Sequence, residues 1–197
     1  GLDAVAVPVN DLLADGMTPV AYTNYLAVED ADEEIAMAIG TGLVEGAEKA
    51  GILLLGGEMN VKPEVISGFD LVGTAGGIGE KDVVFPGDAA VGDRLVGFPS
   101  SGIHASGIGR ALSALEDSHE LDDPFPEDES QTFADRILQP TRVYTYLIDS
   151  FQDSIVHAGA HLTDGGWRTL MQMGEYQYSI TDPLEPQPLF DVIQDAG

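Results

Sequence analysis

The chain has 197 residues, and its 34 aspartates and glutamates outnumber its 8 lysines and arginines, which gives a formal net charge of −26 at pH 7. Nucleic acids and anionic membrane surfaces both attract clustered basic residues, so the composition argues against either partner. A hydrophobic fraction of 44% predicts a folded chain rather than an acidic disordered tail. Because molar salt screens charge repulsion beyond about 3 Å, the acidity also predicts a cytoplasmic protein adapted to a high-salt cytosol.

The chain contains no cysteine, which excludes disulfides, a thiol nucleophile and a cysteine-based zinc site. No apolar run approaches the roughly 18 residues that a membrane-spanning helix needs. The first residues carry no basic segment typical of a signal peptide. The sequence opens on an apolar run without an initiator methionine, so we expect a fragment of a longer chain.

The first half predicts alternating strands and helices. Alternating valines indicate a strand over 5–9, followed by a short helix from Leu12 to Asp15. A second strand is predicted over 20–28. Asp30 is expected to cap the helix that follows, in which apolar residues recur every fourth position until Gly51 ends it.

Two further strands are predicted before the middle of the chain. The apolar run 52–55 indicates a strand buried on both faces, with Gly56, Gly57 and Glu58 in the loop behind it. The glycine-rich run 69–78 predicts a strand that another backbone approaches closely. Turn residues within 82–93, including Pro86-Gly87, suggest a junction between an incomplete first domain, 1–87, and an incomplete second domain, 88–197.

The second half predicts a similar alternation, which favours an α/β (α+β) fold. Its acidic segment 116–129 is expected to be an exposed loop. The predicted strands are 94–98, 156–162 and 176–180, and the predicted helices are 104–115, one ending at Leu138, one beginning near Pro140, and one ending at Met173.

Generic phosphate and hydrolase motifs are absent. Lys81 lies between two acidic residues and does not complete a P-loop, and Gly107-Ile108-Gly109 lacks the third glycine of a dinucleotide fingerprint. No serine has glycine two positions before it, as a nucleophile elbow requires.

Segments rich in small or polar residues instead follow several predicted strands, where α/β proteins bind ligands. Asp11 and Glu58 supply hard carboxylate oxygens suited to Mg²⁺ that bridges polyphosphate. Each segment alone also has a structural interpretation, as a helix cap or a turn. The four segments are Asn10-Asp11, Gly56-Gly57-Glu58, Ser100-Ser101-Gly102-Ile103-His104 and His161-Leu162-Thr163-Asp164-Gly165-Gly166.

Four side chains leave two interpretations open. His157 and His161 have the spacing of a metal pair, but a core or hydrogen-bonded role is favoured. Arg142 is suited to clamp a phosphate or to form a surface ion pair. Trp167 is interpreted as a packing residue rather than a stacking platform.

Taken in order, these segments resemble the aminoimidazole ribonucleotide synthetase family, also called phosphoribosylformylglycinamidine cyclo-ligases. The resemblance covers nearly the whole chain. It depends on Val9-Asn10-Asp11-Leu12-Leu13, Asn24-Tyr25-Leu26-Ala27, Gly56-Gly57-Glu58, Asp70-Leu71-Val72-Gly73-Thr74, Gly92-Asp93, Ser100-Ser101-Gly102-Ile103-His104, Leu138-Gln139-Pro140-Thr141-Arg142-Val143-Tyr144, Ala160-His161-Leu162-Thr163 and the terminal Phe190, Ile193-Gln194 and Gly197.

The resemblance implies a two-domain fold, a homodimer or larger assembly formed through the first domain, and cyclisation of a small-molecule substrate, formylglycinamidine ribonucleotide, with ATP and Mg²⁺. Catalytic roles are implied for His104 and His161. Nucleotide or substrate contacts are implied for Asn10, Asp11, Gly56, Gly57, Glu58, Ser100, Ser101, Gly102 and Thr163, with Asp11 and Glu58 also at the metal.

Several positions depart from the family pattern. Asn24 replaces an aspartate, Met59 follows the Gly-Gly-Glu segment in place of threonine, Ala105 replaces a serine, and Asp164 lies where the family has glycine. The phosphate motif Asp-Gly-x-Gly-Thr-Lys/Arg that the family carries upstream is not in the sequence. The alternative prediction is therefore a catalytically degraded homologue that acts as a structural or assembly subunit.

Overall fold

The structure is a computed structural model that describes residues 1–81, 84–85, 87–152 and 155–196. Pro86 of the predicted Pro86-Gly87 turn lies outside these ranges, and so does the terminal Gly197. Among the described residues, none of the helices combines the length and the apolar character needed to cross a membrane.

The first half is a three-stranded sheet with helices on one face. Strand β1 is central, runs parallel to β2 through the crossover helix α2, and pairs antiparallel with β3. Helices α1 and α2 bury their apolar residues against the sheet. The elements are α1 (Leu2–Ala14), β1 (Thr18–Val28), α2 (Glu33–Ala50), β2 (Leu53–Val61) and β3 (Phe69–Ile78).

The prediction of a strand over 5–9 is wrong, because these residues lie in helix α1. The alternating valines also fit a helical face, since the buried residues Leu2, Val5, Val9 and Leu13 follow helical spacing. Pro8 lies inside the helix, where it has no amide hydrogen to donate, so this residue locally disfavours a helix. Packing against α2 compensates, because Gly42 and Gly46 let the two helices approach closely.

Predictions for α2 and β3 are confirmed with two small changes. Helix α2 ends at Gly51, which adopts a left-handed φ of 69°, but its N-cap is Asp32 rather than Asp30. The Asp32 carboxylate accepts hydrogen bonds from the amides of Glu34 and Ile35. Strand β3 has the predicted bounds, but the close approach at Gly73 is made by the side chain of Tyr22 rather than by another backbone.

Strand β2 differs from its prediction. It continues through Gly56, Gly57 and Glu58, which therefore lie in the sheet and not in a loop. A bulge at Gly56, with φ 115°, absorbs an extra residue against β1, and this irregularity concealed the strand in the sequence. Leu53 and Leu55 are each 68% exposed, so the strand is not buried on both faces.

A second apolar cluster organises the remainder of the chain. It joins Leu115, Phe125, Phe133, Ile137 and Leu189 from separate elements. These elements include α3 (Ile108–Leu115), the hairpin of β4 (Pro124–Phe125) and β5 (Asp128–Thr132), α4 (Phe133–Ile137) and α6 (Pro188–Ala196); α5 (Ile148–Gln152) and the 3-10 helices Thr145–Leu147 and Gly166–Met173 lie outside the cluster.

Several predictions for the second half of the chain are wrong. The acidic segment is not simply an exposed loop, because the Phe125 side chain within it is fully buried. Helix α3 begins at Ile108 rather than His104, and Trp167 is 62% exposed, which contradicts a packing role. The predicted strands 94–98, 156–162 and 176–180 have no strand pairing among the described residues. Their β-favouring side chains find no neighbouring strand with which to complete a ladder.

Candidate functional site

The C-terminal part of helix α1 forms one wall of the candidate site. Asn10 is buried, and its Nδ2 donates to the carbonyl of Arg142 at 2.9 Å while its Oδ1 accepts from the amide of Tyr144 at 3.1 Å. Asp3, two turns earlier, accepts the amide of Thr141 at 2.8 Å. Both ends of the Asn10 amide are thus engaged by the backbone of the segment 140–144.

Asp11 and His161 form the exposed edge of this wall. The Asp11 carboxylate lies 2.8 Å from Nδ1 of His161. The Asp11 side chain is 60% exposed and the His161 side chain only 11% exposed. The carboxylate therefore fixes the imidazole and still has an oxygen facing solvent, where a ligand can reach it.

The turn 100–104 lies against the segment 140–144. Nε2 of His104 accepts the amide of Ser101 at 3.0 Å, lies 3.4 Å from the amide nitrogen of Arg142, and is 3.0 Å from the Ser101 hydroxyl. That hydroxyl donates to the carbonyl of Pro140 at 2.7 Å. His104 adopts a left-handed φ of 64°, which is uncommon for a residue with a Cβ. Its ring is used to hold two backbone segments together.

Electrostatic conditions differ between the two halves of the site. Burial, reinforced by the charges of His161 and Arg142, lowers the pKa of His104, although Asp3 acts in the opposite direction. A neutral ring is consistent with an unprotonated Nε2 that accepts amide hydrogens. Burial also raises the pKa of Tyr144, whose hydroxyl donates to the carbonyl of Pro99.

The remaining residues of the two polar segments differ in their exposure. The Ser100 hydroxyl accepts from Nε2 of Gln187 at 3.0 Å. Gly102 is buried, and a Cβ there would contact Gln139. Thr163 is exposed, and its carbonyl accepts the amide of Gly166 in a turn. Ser100 and Gly102 thus support the turn beside His104, whereas Thr163 lies at the surface.

Gly56, Gly57 and Glu58 lie away from this cluster. A Cβ on Gly57 would lie 2.5 Å from the carbonyl oxygen of Asn24, so glycine is required for the strands to pair there. Glu58 pairs with Tyr25, on the sheet face opposite the helices, and its carboxylate accepts from Asn60. Since α1 packs on the other face, one chain does not bring Asp11 and Glu58 to one metal ion. Within the described ranges, no group of three or more histidine or acidic side chains is arranged to hold a metal.

The predicted histidine pair is separated in the structure. Nδ1 of His157 lies 2.7 Å from the Asp93 carboxylate, whereas His161 contacts Asp11. The Asp93 hydrogen bond raises the pKa of His157, and the same bond lowers the pKa of Asp93. The favoured interpretation of these histidines as hydrogen-bonded side chains is consistent with both contacts.

Sequence reasoning did not single out Asp3, Tyr144 or Gln187. Each of these three residues contacts a residue far along the chain. The neighbouring sequence therefore contains no pattern that by itself points to any of them. The acidic residue in the first turn of a helix was the available signal for Asp3, but it depended on recognising α1.

A sheet covered by helices on one face defines a protein of mixed α and β structure, and the polar side chains of distant segments that meet beside α1 form its candidate site. Two family models match the chain: "AIR synthase related protein, N-terminal domain" over residues 1–79 and "AIR synthase related protein, C-terminal domain" over residues 90–174. The chain belongs to the AIR synthase related protein family.

Curated relatives match the whole chain. The phosphoribosylformylglycinamidine cyclo-ligase of Methanosarcina barkeri is 42% identical over 199 residues, which are 100% of this chain and 60% of the relative. The enzyme of the same name from Thermococcus gammatolerans is 40% identical and is covered to 58%. The chain thus spans about three-fifths of the length of these relatives.

Solved structures share the fold. A thiamine-monophosphate kinase from Stenotrophomonas maltophilia K279a superposes with a TM-score of 0.51 at 24% identity, covering 77% of this chain and 47% of the kinase. The HypE protein of E. coli gives a TM-score of 0.50 at 18% identity, covering 81% of this chain and 46% of HypE. At these identities the likeness concerns the fold alone, and it confirms the predicted fold class.

Proposed function

We propose that the chain is part of a phosphoribosylformylglycinamidine cyclo-ligase, which closes the imidazole ring of formylglycinamidine ribonucleotide to give aminoimidazole ribonucleotide. The observation that carries the proposal is 42% identity to an enzyme of that name along the entire chain. The meeting of Asp11, His161, Ser101 and His104 beside α1 supports it, because these residues come from three separate segments of the sequence.

The reaction needs activation because an amide oxygen is a poor leaving group. Transfer of the γ-phosphoryl group of ATP to the formyl amide oxygen makes that oxygen part of a phosphate. The amidine-side nitrogen then attacks the same carbon, the carbon–oxygen bond breaks, and phosphate leaves with ADP as the second product. In phosphoryl transfer the protein chiefly positions the reactants and stabilises charge. Asp11, held by His161, and the turn 100–104 are the proposed positioning groups.

ATP and Mg²⁺ are the proposed cofactors. Mg²⁺ is commonly bound by one or two carboxylates together with substrate phosphates and water. The exposed oxygen of Asp11 fits that role. Glu58 does not fit at the same ion within one chain, because it lies on the opposite sheet face.

A homodimer is the proposed assembly. The sheet face opposite the helices exposes Leu53, Leu55, Val72 and Ile78, each at least half exposed, beside Tyr25. A second copy that covered this face would bury those side chains, and it would also contact Glu58. The same proposal includes a domain boundary near residue 87. It also includes a salt-rich cytoplasm, in which a charge of −26 is screened.

The complete gene product that contains this chain provides the test. We expect phosphate release from ATP in molar KCl that depends on formylglycinamidine ribonucleotide. Asp11→Asn should reduce the rate at least about 100-fold, since it removes the charge at the proposed metal ligand. Asp15→Asn is the matched control, because Asp15 is an exposed carboxylate one turn further along α1. A folded protein that releases no substrate-dependent phosphate would support the degraded homologue instead. Sedimentation of the protein at the same salt concentration tests the dimer, which a monomer would contradict.

A further inference from the structure

Arg142 differs from the other arginines that the structure describes. Arg94, Arg110 and Arg168 are exposed, and Arg136 lies 3.7 Å from Asp128 and against the ring of Phe125. Arg142 is half-buried, and no carboxylate of the described residues lies within 4.0 Å of its guanidinium. In a chain with 34 acidic residues, a partly buried arginine without an acidic partner is unusual.

The backbone around Arg142 is fixed from three directions. Asn10 holds the carbonyl of Arg142 and the amide of Tyr144, Asp3 holds the amide of Thr141, and Nε2 of His104 faces the amide nitrogen of Arg142. The hydrogen bonds that these three side chains make to the segment are all partly buried. These long-range bonds fix the backbone from which the Arg142 side chain extends, and a fixed backbone favours a defined position for a binding residue.

The surroundings of the guanidinium suit an anion. The Arg142 charge helps to lower the pKa of His104 and opposes the rise in the pKa of Tyr144, so both side chains lie within its electrostatic reach. Arginine presents a planar set of donors that matches two oxygens of a phosphate. The nearby carboxylate of Asp3 is occupied by the Thr141 amide.

We propose that Arg142 is a phosphate-binding residue of this site, and that Asn10, Asp3 and His104 are positioning residues that hold its backbone for this purpose. The inference rests on the proposed function for the nature of the ligand, which carries phosphate in both ATP and the ribonucleotide substrate. The ligand chemistry shared by these two sources is a terminal phosphate group.

Binding without turnover tests the proposal. The complete protein is titrated with ribose 5-phosphate, and separately with a non-hydrolysable ATP analogue and Mg²⁺, by calorimetry in molar KCl. We expect Arg142→Gln to weaken binding of one of the two probes at least 10-fold, and Arg142→Lys to restore part of the loss. Loss confined to ribose 5-phosphate assigns the residue to the ribonucleotide, and loss confined to the analogue assigns it to the nucleotide. Arg110→Gln, at an exposed helical arginine, should leave both affinities unchanged.

The positioning residues have a separate readout. Asn10→Ala should accelerate hydrogen exchange of the Tyr144 amide and weaken the same probe that Arg142→Gln weakens. If Arg142→Gln binds both probes with wild-type affinity, the inference is overturned. Ring closure by the unaltered protein would still uphold the proposed function in that case, so the two failures are distinguishable. If the Asn10 variant does not fold, the Arg142 series alone decides.

Discussion

Asn10 and Tyr144 are 134 positions apart, yet Oδ1 of the Asn10 side chain accepts a hydrogen bond from the Tyr144 amide at 3.1 Å. The same side chain donates to the carbonyl of Arg142. One buried amide therefore connects the first helix of the chain to the segment that carries Arg142. This bond ties the stability of the fold to the geometry of the candidate site.

Replacing Asn10 with alanine is expected to destabilise the protein strongly. The change leaves a partly buried backbone carbonyl and a partly buried amide without partners, which costs about 2–4 kcal/mol in total at about 1–2 kcal/mol per group. Urea unfolding in molar KCl measures the free energy of unfolding. Asn60→Ala is the control, because Asn60 makes one exposed hydrogen bond, to Glu58, and should change stability by less than about 0.5 kcal/mol. Equal effects of the two substitutions would contradict the buried arrangement.

Two glycines of β3 should respond differently to alanine. A Cβ on Gly73 would overlap the hydroxyl of Tyr22, and Tyr22 is only 1% exposed and cannot move aside freely. We expect Gly73→Ala to destabilise the fold by about 2 kcal/mol or more, as overpacking of a core does.

Gly76 on the same strand has no atom within 4 Å of a built Cβ, so Gly76→Ala should be neutral or slightly stabilising. Thermal unfolding of the two variants, recorded under identical conditions, gives the comparison. A Gly73→Ala variant as stable as Gly76→Ala would show that β1 and β3 do not approach as described.

The N-cap of α2 can be assigned by substitution. Asp32→Ala removes the acceptor of the Glu34 and Ile35 amides and should cost about 1 kcal/mol. Asp30→Ala is the matched control at the position that the sequence favoured, and it should cost less than about 0.5 kcal/mol. The free energies of unfolding from urea titrations show which aspartate is the N-cap. A larger loss of stability for Asp30→Ala than for Asp32→Ala would favour Asp30, as the sequence predicted.

The two shifted histidines should titrate on opposite sides of the usual value of 6.5. The pKa of His157 is raised by Asp93, so its contribution to stability is fully present below 6.5 and is lost as the pH rises through the raised value. The pKa of His104 is lowered by burial, so the folded state loses stability as the pH falls from 6.5 towards that lowered value.

Side-chain NMR titration of the four histidines measures these pKa values directly, with His157→Gln and His104→Gln used to assign the signals. Because the His157–Asp93 pair is exposed, the rise in the pKa of His157 should shrink in molar salt. A His157 signal that titrates below that of His104 would contradict both environments.

Local patterns and ordered motifs were enough to predict β1, most of α2, β3 and the family. The periodicity of residues 35–47 and the glycines of 69–78 each imply a structure without reference to distant residues. The helix formed by the valines of 5–9 depends on long-range packing, since their alternation is compatible with two periods until α2 and the sheet select one face. The tertiary structure also showed that Gly56 to Glu58 lie within a strand, because a bulge is defined by the neighbouring strand. The setting of Arg142 was equally invisible, because the bonds that fix it come from Asp3, Asn10 and His104, which only folding brings to one place.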